Sequence, residues 1–354
     1  MTQKKLFHFS IIVLCMLSLQ SFASDNMYDK EKKITKNYSV SANDKLSIEN
    51  EFGNVNVNTW DKNEVNVEIT VKSSAKSDSK AQEILETVSI SDTKTAGAIY
   101  LKTILKSGSY RSGKQSLNID YKVYIPASIQ LSIVNKFGNV NLPSLSTYIQ
   151  LKVSYGNIKA TKLLGYADKR IEVSFGSVSI DELDNAEVIS KYSKVNIDMV
   201  GKAEIENSFG KTKIIEASNL RITQKYGDLE LRKVGTLQGT VEFSNVDLDY
   251  IIKSVDLHLK YASNADLGII SSSVDLLKIN AGFSTVYIKV DESANQDFEA
   301  HLKFGDIKIN NQYMRDYVKN TNEHSNTSDY KGKIGRGGSG NMLINANYTT
   351  VHIR

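Results

Sequence analysis

The amino-acid sequence predicts an all-β protein built as a parallel β-solenoid, a stack of short coils in which each coil adds one rung. Three observations lead to this fold class. An alternating apolar pattern that ends in an aromatic and a small residue recurs along most of the chain. The recurrence has a short and nearly constant period. The 354 residues include 2 prolines, so few positions are barred from strands.

The N-terminus has the pattern of an export signal. Lys4 and Lys5 precede an apolar run at 11–19 that is too short to span a bilayer. Small residues then stand at Ser21 and Ala23, as in a cleavage site. We expect residues 1–23 to be a signal peptide. The protein would then be exported to the periplasm, the outer cell surface or the extracellular space.

Cysteine and charge narrow the function classes. Cys15 is the one cysteine and lies inside the signal, so the mature chain has no thiol for disulfides or for zinc. A lipid anchor at Cys15 is disfavoured because Leu14 is not the small residue such signals require. The net charge of +4 falls to +2 when two lysines leave with the signal. Basic runs interleaved with aromatics are missing, which argues against nucleic acid. No second apolar run predicts a membrane span in the mature chain.

The first part of the mature chain is less regular. We predict a linker at 24–38 and an N-terminal part of the solenoid at 39–130, where insertions cap the stack. Alternating apolar residues predict strands at 46–48 and 65–69. Residues 80–86 could form one or two helical turns, and 106–114 reads as a Gly/Ser loop.

The regular repeats are predicted at 131–313. Within them, five aromatic residues follow one another at steps of 17, and the flanking steps are 18 to 22. A constant short period with small insertions is typical of rungs of about 17–20 residues. The five are Phe175, Tyr192, Phe209, Tyr226 and Phe243.

Side-chain parity predicts where each rung bends. Ile171 and Val173 share the parity of Phe175, whereas Val178 and Ile180 have the other. Because a strand alternates faces, both sets can face inward only if the chain turns a corner after the aromatic residue. This parity predicts an internal ladder of aromatic rings. The alternative is an external platform on which sugar rings stack.

Two apolar columns are predicted to form the core, four residues before the aromatic residue and three after it. The first contains Ile48, Ile133, Leu151, Ile171, Val188, Ile205, Ile222 and Leu257. The second contains Val55, Val140, Ile158, Val178, Val195, Leu229, Val246, Val286 and Ile307. Beyond the regular repeats we predict a Gly-rich polar loop at 314–341 and a closing strand at 342–354.

The repeats resemble a known family. Asn50 to Trp60 reads Asn-x-Phe-Gly-Asn-Val-x-Val-x-x-Trp, and Tyr121 to Pro126 reads Tyr-x-Val-x-x-Pro. Serial aromatic-Gly-x-aliphatic units follow. This arrangement is similar to the bacterial putative-adhesin domain family of unknown function, which comprises exported β-strand-repeat proteins. The resemblance extends over 39–354 and implies a strand solenoid with no catalytic residues to carry over.

Four aspartates form the sharpest candidate site. Asp247, Asp256, Asp266 and Asp275 recur every nine or ten residues between inward aliphatic residues. If the local rung has 19 residues, Asp247 stacks on Asp266 and Asp256 stacks on Asp275. Stacked like charges repel, and calcium would relieve the repulsion. The simpler interpretation, which we favour, is a solvated face screened by nearby lysines, with no metal and no cofactor.

Motifs of enzymes are missing. The sequence contains no HExxH, GxSxG or phosphate-cradling glycine motif, and the glycines at 335–340 lack the following Lys-Ser/Thr. His258, His301 and His352 are expected to point outward, and His324 to lie in the polar loop.

We therefore predict a non-enzymatic envelope protein that acts as an adhesin or a structural surface. A polysaccharide-binding or polysaccharide-active protein and a protein-binding scaffold are the alternatives. The partner could be a cell-surface glycan or an envelope protein.

Overall fold

The computed structural model describes residues 27–106, 114–310, 314 and 317–354. In these residues the protein is all-β, with 25 strands in one mostly parallel sheet and one helix. That helix is too short and polar to cross a membrane. The predicted signal peptide, 1–23, falls outside the described ranges.

The helix α1 spans Asp78–Glu86. The strands are β1 (Tyr28–Ser39), β2 (Lys45–Glu51), β3 (Val55–Thr59), β4 (Glu64–Ala75), β5 (Val88–Thr95), β6 (Ala98–Leu105), β7 (Gln115–Ile125), β8 (Gln130–Lys136), β9 (Val140–Leu142), β10 (Ile149–Ser154), β11 (Asn157–Leu163), β12 (Lys169–Ser174), β13 (Ser177–Leu183), β14 (Ala186–Lys191), β15 (Lys194–Ser208), β16 (Thr212–Lys260), β17 (Ala265–Ile270), β18 (Leu276–Gly282), β19 (Thr285–Val290), β20 (Gln296–Lys303), β21 (Asp306–Ile309), β22 (Tyr317–Asn322), β23 (Thr327–Ile334), β24 (Asn341–Asn347) and β25 (Thr350–Ile353).

The middle of the chain forms two series of parallel strands. In the first series Leu151 pairs with Ile171, which pairs with Val188, and the series continues into β15 and β16. In the second series Ile158 pairs with Val178, which pairs with Val195. Each strand therefore meets the equivalent strand of the next repeat, and the chain passes from one series to the other within each repeat.

Alternating residues of both series point into one hydrophobic core. Every residue of the two predicted apolar columns is buried, so that prediction is confirmed. Parallel strands 4.8 Å apart place branched aliphatic side chains in direct contact along each column. Because a single repeat cannot cover its own apolar face, neighbouring repeats stabilise one another.

The N-terminal region departs from the predicted linker. Residues 28–39 form β1, which pairs antiparallel with β4, and β4 pairs antiparallel with β7. Alternation is weak in β1 because most of its residues are exposed. The helix α1 begins where Ser77 Oγ accepts a hydrogen bond from the Lys80 N–H. Strand β2 lies between β6 and β8, so the 45–59 repeat is flanked by two later segments.

The C-terminal region also differs from expectation. Within the predicted polar loop, β22 and β23 form an antiparallel hairpin, and β23 pairs with β20. The predicted closing strand is two strands, and neither continues the stack in chain order. Strand β24 pairs in parallel with both β18 and β20, and β25 pairs with both β19 and β21. The final repeat is therefore inserted between two earlier repeats.

Candidate functional site

An aromatic residue stands where each repeat passes from the first strand series to the second. Twelve such residues in the described part of the chain adopt φ between 47° and 62°. Bulky residues are uncommon in this left-handed region, where the backbone reverses the facing of the next side chains. The aromatic side chain consequently does not point inward, although alternation along its strand predicts that it should.

The residue after the aromatic ring is often glycine, because the backbones of neighbouring repeats come too close there for a side chain. A Cβ on Gly176 would lie 1.8 Å from the carbonyl oxygen of Gly156, and one on Gly156 would lie 1.9 Å from that of Gly138. Where serine replaces glycine, its hydroxyl completes the turn: Ser193 Oγ accepts from the Gly176 N–H and donates to the Lys191 carbonyl. The backbone of successive corners is thereby held in register.

The aromatic rings stack into one continuous ladder. Neighbouring centroids are 4.7–5.2 Å apart and the planes differ by 2–18°. These distances exceed face-to-face contact, so the stacking is offset, the favoured arrangement. The spatial order is Phe52, Phe137, Tyr155, Phe175, Tyr192, Phe209, Tyr226, Phe243, Tyr261, Phe283, Tyr348 and Phe304.

From Phe137 onward, phenylalanine and tyrosine alternate strictly in this spatial order. The alternation holds at the C-terminal end only because Tyr348 enters between Phe283 and Phe304. Tyrosine hydroxyls therefore recur at every second rung.

The ladder lies on the surface, so the predicted internal ladder is wrong. Phe209 is 47% exposed and Tyr192 is 53% exposed. The prediction from side-chain parity was wrong because it assumed regular strand alternation up to and including the aromatic residue. The positive φ of that residue turns its ring outward instead. The glycine that follows most of the rings was the signal for this turn.

Charged side chains lie along the flanks of the ladder. Lys225 pairs with Glu242 at 3.1 Å. Lys260 Nζ lies 5.6 Å from the centroid of Tyr261, and Lys303 Nζ lies 5.7 Å from that of Phe304, which are cation–π distances. The ladder is thus an apolar ridge with hydroxyls and scattered cations beside it.

The structure brings one pair of the candidate aspartates together. Asp247 and Asp266 are direct partners on neighbouring parallel strands. Burial, together with the charges of Asp249, Asp266 and Glu230, raises the pKa of Asp247. Asp266 also accepts a hydrogen bond from Arg354 at 2.8 Å.

The second predicted pair does not form. Asp256 is in register with Lys278, and their side chains are 3.2 Å apart. The predicted partner Asp275 instead hydrogen-bonds through its N–H to the Lys253 carbonyl. Extra residues near 270–275 shift the register, so a spacing of 19 did not predict contact here. The described residues contain no cluster of three or more potential metal ligands.

Three histidines lie on two outer faces, and His324 lies in the turn between β22 and β23. His258 and His301 belong to the first strand series, on β16 and β20. His352, on β25, stacks on Tyr287 with centroids 4.7 Å apart. Burial and the charges of Lys308 and Arg354 lower the pKa of His352. The polar surroundings of His258 and His301 could not be read from the sequence, because inserted β24 lies between their strands.

No protein-family model and no curated protein matches the sequence. Solved structures similar to the chain include a putative adhesin from Parabacteroides distasonis, with 12% identity, 91% of this chain and 97% of that chain covered, and a TM-score of 0.35. A putative adhesin from Parabacteroides merdae has 10% identity, coverage of 91% and 96%, and a TM-score of 0.32. A putative cell adhesion protein from Clostridium sporogenes has 11% identity, coverage of 92% and 99%, and a TM-score of 0.19. At these TM-scores a functional proposal has to rest on this chain's own residues.

Proposed function

We propose that the protein is an exported, non-enzymatic cell-envelope β-solenoid with rungs of about 17–20 residues, whose aromatic ladder is an adhesive surface for another envelope protein. Export rests on the signal pattern at 1–23. The solenoid assignment is supported by the parallel registers of both strand series.

The exposure of the ladder is the observation that carries this proposal. Eleven of its rings are 41–53% exposed in one unbroken line. Since an aromatic side chain presents roughly 200 Å², the line exposes on the order of 1,000 Å². Soluble monomers rarely expose apolar patches above a few hundred Å². The exposed area matches the roughly 800 Å² that each partner contributes to a stable protein–protein interface.

The orientation of the rings favours a protein over a sugar on this ridge. Each ring face is covered by the next ring at about 5 Å, so ring edges and tyrosine hydroxyls face solvent. Sugar stacking needs an open aromatic face, whereas an apolar trough on a protein can enclose ring edges. Hydroxyls at every second rung, roughly 10 Å apart by strand spacing, would set the register of such a partner.

The test replaces three central rings. Phe175, Phe209 and Phe243 are changed together to asparagine, which tolerates left-handed φ and removes the apolar edge. The matched control changes the same residues to tyrosine. Because the mature chain is expected to lack cysteine, one introduced cysteine allows specific fluorescent labelling.

The readout is saturation binding of the labelled protein to isolated cell envelopes. We expect the wild type and the tyrosine variant to bind saturably and the asparagine variant to lose at least tenfold in affinity. Protease treatment of the envelopes should abolish binding. Equal binding by the asparagine variant, with its fold verified by circular dichroism, would contradict the proposal.

A further inference from the structure

A polar row crosses the outer face of the first strand series near the C-terminal end. Its residues are successive register partners on β16, β18, β24, β20, β23 and β22. Six neighbouring strands therefore present one side chain each, in a line perpendicular to the strands. The row is His258, Asn280, Asn345, His301, Asp329 and Asn320.

The row forms the floor of a long groove. One cavity of about 650 Å³ is lined by His301, Asp329, Asn320 and Asn345. A second cavity, of about 700 Å³, is lined by His258 and Asn280 and shares His301 and Asn345 with the first. Six strands at 4.8 Å give the continuous groove a length of roughly 24 Å.

Some side chains of the row hydrogen-bond to one another, and some of their polar atoms have no partner. Asn345 Nδ2 donates to Asn280 Oδ1 at 3.1 Å. His301 Nδ1 and Asp329 Oδ1 are 2.5 Å apart. Within the described residues, Asn280 Nδ2 and Asn345 Oδ1 have no protein partner. The row thus holds donors and acceptors in fixed positions and leaves several for a ligand.

The charged side chains beside the row already contact partners within the protein: Lys260 and Lys303, which line the second cavity, lie over the rings of Tyr261 and Phe304, and the charges on the other side of the row form ion pairs. Lys278 bonds to Asp256 at 3.2 Å, and Lys331 bonds to Glu299 at 2.6 Å. These pairs lie two residues along the strands from the row, on its far side from the ladder. The groove therefore favours a ligand recognised by neutral hydrogen bonds over one recognised by charge.

The wall toward the ladder has an aromatic ring and a notch. Phe283 lines the second cavity next to Gly282. A Cβ placed on Gly282 would meet no atom within 4 Å. Gly282 has no positive φ, so its missing side chain opens space in the groove without serving the backbone.

We infer that this groove binds a neutral oligosaccharide chain, laid across the strands along the polar row. Sugar hydroxyls both donate and accept, as the asparagine and histidine side chains of the row require. Hexose units of an extended glycan advance by nearly the strand separation, so successive units meet successive side chains. Ring C–H groups contact Leu343 and Phe283, which line the two cavities. The groove shares Phe283 with the ladder but contains none of the three central rings that the ladder variants change.

The experiment titrates the purified protein calorimetrically with a panel of neutral hexasaccharides of gluco, manno, galacto and N-acetylgluco configuration. Three variants damage the groove: Asn345→Ala and His301→Ala remove hydrogen bonds, and Gly282→Tyr fills the notch. Asn141→Ala is the matched control, since Asn141 Nδ2 bonds to Asn56 Oδ1 at 2.7 Å on the other strand series. His352→Ala is the matched control for His301→Ala.

We expect saturable binding of at least one hexasaccharide, weakened at least tenfold by Asn345→Ala, His301→Ala and Gly282→Tyr but unchanged by Asn141→Ala and His352→Ala. No binding by the wild type to any member of the panel overturns the inference. Binding that the groove and control variants reduce equally also overturns it. If envelope binding through the ladder persists while the hexasaccharides fail, only the glycan site is refuted, and the converse result refutes only the ladder.

Discussion

The ring of Phe283 stacks on the ring of Tyr348, with centroids 4.9 Å apart, although 65 positions separate them in the chain. Tyr348 in turn stacks on Phe304 at 4.8 Å. The last repeat thus supplies a ring in the interior of the ladder and not at its end. In the described sheet pairings, β18 and β20 are connected only through β24. The strand pairings of the C-terminal end therefore include the final residues of the chain.

Truncation after Gly340 should therefore disorder residues that precede the deletion. Loss of β24 removes buried Met342 and Ile344 and one of the two strand partners of β20, leaving only the hairpin strand β23 beside it. We expect amides of 296–303 to lose protection from hydrogen exchange, while 171–208 stay protected. Arg354→Ala, which removes the Asp266 ion pair and the contact with the Tyr287 ring but leaves β24 in place, is the control. Retained protection at 296–303 would show that β20 holds without the inserted strand.

The ladder should contribute measurably to stability. Phe209 stacks on Tyr192 and Tyr226, both at 4.8 Å. Phe209→Asn should lower the free energy of unfolding by roughly 1–3 kcal/mol, because two stacked pairs are lost. Phe209→Tyr keeps both pairs and should stay within about 0.5 kcal/mol of the wild type. Urea titration measures both, and an unchanged midpoint for Phe209→Asn would mean that stacking is energetically neutral.

Inward and outward residues of one strand should differ sharply. Ile222 is fully buried and is the register partner of Ile205 in the preceding repeat. Thr223, the next residue in the strand, is partly exposed. Ile222→Ala should cost roughly 2–5 kcal/mol by loss of contacts and cavity formation. Thr223→Ala should cost under about 0.5 kcal/mol. Similar costs in denaturant titration would contradict the facing of this strand.

Alkaline pH should weaken the N-terminal part through Tyr121. Its side chain is fully buried, its hydroxyl is 2.8 Å from Thr103 Oγ1, and burial raises its pKa to about 12. The folded protein keeps this proton above pH 10, where the unfolded chain releases it. The free energy of unfolding should thus fall by roughly 2–3 kcal/mol between pH 10 and 12. Tyr121→Phe should lack this part of the decline, and identical pH profiles would refute the assignment.

The Asp247–Asp266 pair tests the calcium hypothesis. The raised pKa of Asp247 means that its charge opposes folding, so its favourable contribution at acid pH is lost as pH rises through the folded pKa. Asp247→Asn should raise Tm slightly at pH 7. Calcium should leave Tm unchanged, because Arg354 already neutralises Asp266. A calcium-dependent rise in Tm, abolished by Asp247→Asn with Asp266→Asn, would instead establish a cation site and a calcium-dependent surface.

Short sequence patterns predicted the structural features that depend only on residues close together in the chain. Alternation placed Ile171, Val173, Val178 and Ile180 in the core, and all four are buried. One or two helical turns were expected at 80–86, and the helix α1 spans Asp78–Glu86. These features follow from strand periodicity and helix capping, which act over a few residues.

The amino-acid sequence by itself determined an all-β chain and the identity of its core columns, because both depend on residues close together in the chain. Tertiary structure decided the outward turn of the rings: φ is positive at Phe175, and the next residue, Gly176, lies against the backbone of the preceding repeat. It also decided the order of the last repeats. No residue pattern within β24 indicates that this strand pairs with both β18 and β20. Only that long-range pairing places Asn345 between Asn280 and His301.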